Sequence, residues 1–238
     1  MAEALQFGEA EQLLREASFE DYRPVWYSSN AVYLAQMCLD GQVFGAIYKP
    51  GKGERPLWDF PEGLYPREVA AYRLSQLLDW QFIPPTVLRD GPEGPGSLQL
   101  YIKHDAEEHF FVQRDRVELL PQLQRMCVFD LLANNADRKG GHCLLDEDGR
   151  IWGIDHGLCF HEQNKLRSVI WDWAGEPVSA QWVDEVAAAA PAIADDAELR
   201  ELLTAREMAA LTARIGRFCE SKRYPMPGSE RHYPWPLV

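Results

Sequence analysis

Two aspartates that flank a short apolar segment are the residues of this sequence best suited to chemistry. Asp137 lies in the stretch NNADRKGGH, and Asp155 lies 18 residues later in the stretch IDHG. The segment between them, CLLDEDGRIWGID, is predicted to form a hairpin, so we expect the two carboxylates to converge at one end of it. Phosphoryl transfer needs one carboxylate to orient the accepting hydroxyl and another to hold Mg²⁺ against the phosphates, since hard Mg²⁺ prefers oxygen ligands. The pattern predicts the first role for Asp137 and the second for Asp155.

Four further charged residues are placed to assist the two aspartates. Arg138 and Lys139 follow Asp137 directly, and we expect them to tether phosphate or to fix the Asp137 side chain. Lys49 ends a predicted strand, QVFGAIYK, and Glu68 opens the predicted helix YPREVAAYRLSQLLDW. A lysine on a strand, paired with a glutamate on the next helix, can position nucleotide phosphates. Taken alone, this pair is better explained as two solvated surface charges. Its place ahead of the two aspartates is what favours a nucleotide site.

The elements that must position these residues fall into a β-rich first part and a helical second part. The first part is predicted to contain a helix near its start, a hairpin that turns at Asp40-Gly41, the helix that carries Glu68, and two more strands. The predicted ranges are 4–17 and 65–80 for the helices, 25–39 and 42–49 for the hairpin strands, and 86–90 and 97–103 for the last strands, which a Gly/Pro loop joins. Residues 117–134 have a helical pattern, and the chain is mostly helical beyond residue 182. The sequence thus predicts an α+β fold of two lobes, residues 1–104 and 105–238.

Composition narrows the class of protein. The chain has 238 residues, of which 46% are hydrophobic and eight are Trp, enough for a core in one compact domain or two small lobes. Its net charge of −13 argues against nucleic acid as a partner, because nucleic-acid binding depends on clustered Lys and Arg, and it disfavours a constitutive anionic membrane partner. Five cysteines without a CxxC motif fit a reducing compartment better than a disulfide framework. Neither a signal peptide nor a transmembrane segment is predicted, so we expect a cytoplasmic protein.

The order of the motifs resembles that of a known group of enzymes. Lys49, Glu68, NNADRKGGH and IDHG follow one another as in the protein-kinase-like superfamily, in particular its phosphoinositide 3-/4-kinase-related and HipA-like branches. Those branches have a catalytic loop Asp-Arg-His-x-x-Asn and a metal motif Asp-x-Gly, and FDLLANNADRK resembles their passage from helix to catalytic loop. The resemblance covers about residues 28–160. The whole chain also resembles a compact bacterial family marked by KPGKGERPLWDFP, NNADRKGGH and IDHG.

This resemblance implies a two-lobed, protein-kinase-like fold that binds ATP with Mg²⁺ or Mn²⁺ between the lobes. The γ-phosphoryl group would pass to a hydroxyl acceptor, which is a protein, a lipid headgroup or a metabolite. Lys49 is then expected to bind the α- and β-phosphates, with Glu68 as its orienter. The adenine is expected near Ile102 and Lys103, where the last strand of the first lobe ends.

Two positions depart from the pattern of the related kinases. His142 stands where they have the second metal-binding Asn, so it is the expected second metal ligand beside Asp155, and Lys139 stands where they have His. Imidazole is a poorer partner for Mg²⁺ than an oxygen ligand, so we expect a single metal ion, Mn²⁺, or weak catalysis. No GxGxxG motif covers the phosphates either. In its place the stretch YSSNAVY offers Ser28, Ser29, Asn30 and backbone amides.

Other functions remain open at this point. A kinase-like scaffold that binds nucleotide without turnover would keep the same motifs, and nucleotidyl transfer would use the same carboxylates. A Cys-His nucleophile pair is a weaker reading, because no oxyanion donor is visible. A zinc site is a further alternative, although His142 and Cys143 would point to opposite faces of a strand and the spacing fits no common zinc pattern. The candidate zinc ligands are His142, Cys143, His156, Cys159 and His161.

Overall fold

A five-stranded antiparallel sheet and two helices form the first part of the chain. The structure, a computed structural model, describes residues 7–25, 30–228 and 232–238. Helix α1 packs against one face of the sheet, and α2 follows the third strand. The elements are α1 (Phe7–Glu16), β1 (Ser18–Pro24), β2 (Tyr33–Leu39), β3 (Gln42–Pro50), α2 (Tyr65–Leu77), β4 (Thr86–Gly91) and β5 (Gly94–Leu100), with the strands in the order β1-β2-β3-β5-β4.

The β2–β3 hairpin places Lys49 on the face of the sheet opposite α1. The hairpin turns at Asp40 and Gly41, whose φ angles of 50° and 82° are those of a two-residue turn with both residues left-handed. This confirms the predicted turn. Successive side chains of a strand point to opposite faces. Because Tyr48 is buried in the cluster that contains Leu14 of α1, Lys49 extends from the other face.

The predicted strand pattern needs four corrections. The sequence does not predict β1, because the residues of this edge strand are mostly exposed and lack the apolar alternation that signals a strand. The predicted strand over 25–39 is too long, since β2 begins at Tyr33. The predicted Gly/Pro loop belongs largely to a tight hairpin, with β4 ending at Gly91 and β5 beginning at Gly94. Strand β5 ends at Leu100 and does not continue to residue 103.

The second part of the chain is mainly helical and contains one small hairpin. Helix α4 carries the predicted helix over 117–134, and β6 and β7 form the predicted hairpin between the two aspartates. The described elements are α3 (Phe110–Gln113), α4 (Leu120–Ala133), β6 (Cys143–Leu145), β7 (Ile151–Gly153), α5 (Ala180–Asp195), α6 (Ala197–Leu202) and α7 (Ala205–Ser221). This confirms the predicted α+β fold with a β-rich first part and a helical second part. None of the helices in the described ranges has the length and apolar character needed to cross a membrane.

Two hydrophobic clusters organise the fold. The smaller one lies between α1 and the sheet. The larger one fills the helical part and includes Ala70, Tyr72 and Leu74 of α2. Helix α2 also contacts β4 and β5, so it joins the sheet to the helical part. The boundary at residue 104 stays a prediction.

Candidate active site

Lys49 connects the sheet to α2 and to the segment that follows β7. Its Nζ lies 2.5 Å from Oε1 of Glu68 and 2.9 Å from Oδ1 of Asp155. The other carboxylate oxygen of Glu68 accepts the backbone N–H of His156 at 2.9 Å. Glu68 is buried, whereas the Asp155 side chain is 47% exposed. Three charged side chains from distant parts of the sequence therefore meet, and Asp155 keeps access to a ligand.

Charge pairing sets the ionisation of Lys49 and Asp155. Burial works against the charged form of Lys49, but Asp155 and Glu68 together raise its pKa above the ordinary value. Lys49 in turn holds the pKa of Asp155 well below its usual range. Both groups are therefore ionised at neutral pH, and this is the state that binding of phosphate and of a metal ion requires.

Asp137 lies beside this trio, in the loop between α4 and β6. Its Oδ2 is 3.1 Å from Nζ of Lys139. One ligand atom each from Asp137, His142 and Asp155 lie within 4.8 Å of one another, and within the described ranges this is the one cluster of His, Cys, Asp and Glu side chains spaced to hold a metal ion. Burial raises the pKa of Asp137 to about 6, Lys139 opposes the rise and Asp155 adds to it. A carboxylate with such a pKa can exchange a proton close to neutral pH.

His142 touches Asp155 as a hydrogen-bond donor. Its Nδ1 accepts the backbone N–H of Lys139 at 3.3 Å, so the proton of the neutral ring is on Nε2, which donates to Oδ2 of Asp155 at 3.2 Å. Burial lowers the pKa of His142 to about 4 despite Asp155, which keeps the ring neutral. In this tautomer Nε2 has no lone pair for a cation. Metal coordination through Nε2 would require the proton to move to Nδ1 and the contact with Lys139 to break, so the contacts of His142 are those of an orienting residue.

Arg138 does not face the site, which corrects the prediction that it tethers phosphate. Its side chain is fully buried and forms two hydrogen bonds with Asp130 of α4, at 2.8 and 2.9 Å. It also donates to the carbonyl oxygens of His142 and Ile154 at 3.1 Å and to Nε2 of His156 at 2.7 Å. Every arm of the guanidinium is thus used inside the protein. Arg138 ties the loop that carries Asp137 to the strand end that carries Asp155.

Two asparagines shape the start of this loop. Asn134 ends α4 in the left-handed conformation, with φ of 55°, and its side chain donates to the carbonyl oxygens of His161 and Gln163. Asn135 donates to Asp130 at 2.9 Å and accepts the backbone N–H of Asp137 at the same distance. The sequence does not predict these roles, although the stretch FDLLANNADRK contains all three side chains. Asn135 thus fixes the backbone of Asp137, and Lys139 contacts its side chain.

The β3–α2 connection anchors the sheet part to the Asp137 loop. Glu54 accepts the backbone N–H groups of residues 63, 64 and 65 at 2.7 to 3.0 Å, which closes the connection into a compact loop. Phe60 at its tip packs in a buried cluster with Leu64 and with Ala136, the neighbour of Asp137. Asp59 pairs with Arg167 at 2.8 Å. The loop is therefore held to the start of α2 through Glu54, and to the helical part through Phe60 and Asp59.

Of the further residues predicted to contact the nucleotide, Asn30 lies near Lys49, whereas Ile102 and Lys103 do not line the same cavity. Asn30 lines the same cavity as Lys49, Asp137 and Asp155, and its Oδ1 accepts the backbone N–H of Arg55. Ser29 lies outside the described residues. Ile102 and Lys103 follow the end of β5, and Lys103 is exposed and pairs with Glu147 of the β6–β7 turn.

The cavity next to Lys49 has a volume of about 80 Å³. It adjoins a cavity of about 670 Å³ along the β3–α2 loop, with which it shares Glu54, Leu64 and Tyr65. Together they exceed the roughly 300 Å³ at the lower end of ligand pockets.

The cysteines are not placed for zinc binding or for nucleophilic chemistry. All five are free, and Cys143 and Cys159 are buried. Burial raises the pKa of the Cys159 thiol well above its ordinary value, so it stays protonated. His156 is buried and contacts Arg138, which fits the expectation of a packing residue. His142 precedes β6 in a 3-10 turn, so the argument that it and Cys143 lie on one strand is wrong.

The fold and the site define a kinase-like protein. The family model described as phosphatidylinositol 3- and 4-kinase matches residues 88–210, more than half of the chain. Protein Rv2133c of Mycobacterium tuberculosis is 40% identical over 247 aligned positions, which cover 88% of each chain. The chain belongs to the phosphatidylinositol 3- and 4-kinase family, as the motif order indicates.

More distant relatives agree with this assignment. Phosphatidylinositol 4-kinase gamma 3 of Arabidopsis thaliana is 30% identical over 38% of this chain and 17% of its own length. The Golgi casein kinase, in a crystal structure with Mn/ADP bound, matches with a TM-score of 0.59 over 98% of this chain and 80% of that chain, at 12% identity. At such low identity the likeness shows the fold alone.

Removal of the Arg138 guanidinium should destabilise the fold strongly. Arg138→Met leaves the buried Asp130 carboxylate without its counter-ion, and loss of one partner of a buried pair costs about 3–5 kcal/mol. Lys103→Met, which breaks the exposed pair with Glu147, should change the stability little, because solvent screens exposed ion pairs. Urea unfolding of both variants measures the difference. Equal stability of the two variants would contradict the structural role of Arg138.

Asp137→Asn should stabilise the protein at neutral pH. Because the folded chain raises the pKa of Asp137 from 3.8 to about 6, ionisation of this carboxyl removes stability as the pH rises through that interval. The amide is free of this cost, so we expect a gain on the order of 2 kcal/mol at pH 7. The gain should vanish below the lower pKa, where Asp137 is protonated in both states. Thermal unfolding across the pH range tests this, and a variant less stable than wild type at pH 7 would refute it.

Proposed function

We propose that the protein is an ATP-dependent phosphotransferase that binds ATP with Mg²⁺ between the sheet and the helical part. The γ-phosphoryl group passes to a hydroxyl acceptor. The observation that carries this proposal is the meeting of Lys49, Glu68 and Asp155 within salt-bridge distance, with Asp137 beside them. Membership of the kinase family and the Mn/ADP complex of the structural neighbour support ATP and a divalent ion as ligands.

Each side chain has a role that follows from its charge and place. Lys49 binds the nonreacting phosphates as a point charge that Glu68 keeps in position. Asp155 holds the metal ion, whose charge offsets that of the phosphate oxygens. Asp137 accepts a hydrogen bond from the acceptor hydroxyl and so aims its oxygen at the γ-phosphorus. Lys139 lies next to Asp137 and adds positive charge on the phosphate side.

Binding must exchange one set of ion pairs for another. In the structure Lys49 contacts Oδ1 of Asp155 and His142 contacts Oδ2, so each carboxylate oxygen already has one partner. A metal ion bound to Asp155 would lie close to the Lys49 ammonium, and the two positive charges repel each other. We therefore expect Lys49 to turn from Asp155 toward the phosphates when the ion binds, while its contact with the buried Glu68 persists.

A nucleotide-binding protein without turnover is the second candidate. The observation in its favour is the contact of His142 with Asp155, because it replaces an expected oxygen ligand by a donor. Both candidates bind ATP with a divalent ion at Asp155, and they differ in the fate of the γ-phosphoryl group. Nucleotidyl transfer would use the same carboxylates with the triphosphate reversed.

Asp155→Asn should abolish metal-dependent nucleotide binding. The amide lacks the charge that holds the ion, so ATP with Mg²⁺ should stabilise the wild type and not the variant. A ligand at 100 times its Kd adds about 2.7 kcal/mol of stability, which a thermal-shift titration detects. Asp148→Asn, in the exposed β6–β7 turn, is the matched control and should behave as wild type. A full shift in the Asp155 variant, or an undiminished shift in EDTA, would count against the site.

Asp137→Asn should separate turnover from binding. This variant keeps Lys49 and Asp155, so ATP with Mg²⁺ should still raise the unfolding midpoint. Transfer of labelled phosphate from ATP to water or to an acceptor should fall by roughly 100-fold or more, as expected for loss of a group that handles the transferred proton. The wild-type rate should rise with pH through about 6, because only ionised Asp137 accepts the proton. Unchanged turnover in the variant would assign the role to another group.

A further inference from the structure

A groove with basic walls runs along the helical part next to the Asp137 loop. Two adjoining cavities, of about 510 and 540 Å³, share four lining residues and so form one continuous depression. Five basic side chains line it, and they define what is called the basic groove below: Lys165, Arg167, Arg214, Arg217 and Arg223.

The sign of the charge in the basic groove is opposite to that of the chain. The sequence has 37 acidic and 24 basic residues. Among the described residues that line the groove, however, there are five cations and one carboxylate, that of Glu162. A concave region of one charge sign focuses the electrostatic field and attracts ligands of the opposite sign. The groove is therefore suited to an anionic ligand.

Arg214 places a buried cation beside the groove. The residue is 7% exposed, and it forms no salt bridge with a carboxylate of the described residues. It donates to the carbonyl oxygens of Leu132 at 2.8 Å and His161 at 3.3 Å, while its Nη2 has no hydrogen-bond partner. Burial lowers the pKa of Arg214 to about 10, the charge of Arg217 adds to the fall, and the nearby Glu207 carboxylate opposes it. A buried cation with no carboxylate in contact is costly, and a bound anion would relieve that cost.

The remaining cations line both of the adjoining cavities. Arg217 and Arg223 lie at the end of α7 and beyond it, they are exposed, and neither pairs with a carboxylate of the described chain. Lys165 and Arg167 line the other of the two adjoining cavities, so cations are present along the whole length of the groove.

Arg167 links the groove to the proposed active site. Its backbone N–H donates to Asn135, and its carbonyl oxygen accepts the N–H of Arg138, so it lies alongside the loop that carries Asp137. Burial raises the pKa of Asp137, and Arg167 is among the cations that oppose this rise. At this end of the groove, the Asp59 carboxylate lies 2.8 Å from Arg167 and 3.7 Å from Lys165. A carboxylate of this chain thus already occupies one position of the kind that an acidic ligand would take.

We propose that the acceptor is an acidic polypeptide segment, whose carboxylates lie along the basic groove while a hydroxyl side chain reaches Asp137. This inference rests on the proposed phosphotransferase function. The hydroxyl oxygen forms a bond to the γ-phosphorus, the bond from that phosphorus to the bridging oxygen breaks, and the electron pair leaves with ADP. The hydroxyl proton goes to Asp137. An extended chain with several carboxylates fits cations spread along a recessed groove, whereas a flat membrane surface would not enter it.

The test measures binding of a fluorescein-labelled peptide of alternating Glu and Ser by fluorescence anisotropy. The groove variant is Arg217→Glu with Arg223→Glu, two exposed positions. The matched control is Arg15→Glu with Arg23→Glu, which makes the same change in net charge on α1 and β1. A peptide with Gln in place of Glu tests the need for charge. Vesicles of phosphatidylcholine and phosphatidylserine test a membrane surface as the ligand.

The expected result is binding of the acidic peptide that weakens with salt and falls roughly tenfold or more in the groove variant. The control variant should bind as wild type does, and the Gln peptide should not bind. Equal binding by the groove variant, equal binding of the Gln peptide, or binding of vesicles alone would overturn the proposal.

A thermal shift with ATP and Mg²⁺ on the same samples separates this proposal from the one on which it rests. A nucleotide shift without charge-dependent peptide binding overturns the groove assignment and leaves the nucleotide site. Peptide binding without a nucleotide shift supports the basic groove as a site for acidic peptides and overturns its role as an acceptor site.

Discussion

The paired charges of Lys49 are the interaction on which the site depends. This side chain leaves the sheet on the face opposite α1 and meets a carboxylate of α2 and a carboxylate that follows β7. The rest of the fold serves to bring these three points together. Helix α2 packs into the helical core while it contacts the sheet, and the β3–α2 loop is fastened to the neighbour of Asp137 through Phe60. Without these connections, the sheet and the helical part would not hold the three charges within salt-bridge distance.

Two ion pairs near the site differ in what they can do. Arg138 and Asp130 are fully buried, and each remaining arm of the guanidinium is hydrogen-bonded, so this pair fixes the loops and cannot exchange partners. Lys49 and Asp155 form a pair that is open to the cleft, because the Asp155 side chain is about half exposed. A ligand can therefore compete for Asp155 at modest cost while the frame that Arg138 maintains stays in place. The separation of a rigid pair from an exchangeable pair is what allows a metal ion to enter without loss of the surrounding structure.

The sequence predicts the chemistry of the site better than the contacts that support it. Lys49, Glu68, Asp137 and Asp155 could be proposed because their types and order suit phosphate and metal binding, and the structure brings all four together. The burial of Arg138 could not be read from the sequence, since its partners come from α4, from the 3-10 turn at His142 and from the segment that follows β7.

Other features also depend on contacts between distant residues or with the backbone, and residue types alone do not predict them. The tautomer of His142 depends on a backbone contact within a 3-10 turn, which residue types do not reveal. Strand β1 has too few buried residues to show the alternation of apolar and polar side chains that predicts a strand. The basic groove joins residues that are some 50 positions apart in the sequence, such as Lys165 and Arg217.

A crystal structure of the protein with ADP and Mn²⁺ tests the central claim most directly, because the anomalous signal of manganese locates the ion independently of the refined protein. The account predicts a manganese peak at Asp155, with Lys49 turned from that carboxylate to the phosphates and still paired with Glu68. A manganese peak away from Asp155, or a nucleotide bound outside the cleft between the sheet and the helical part, would contradict it.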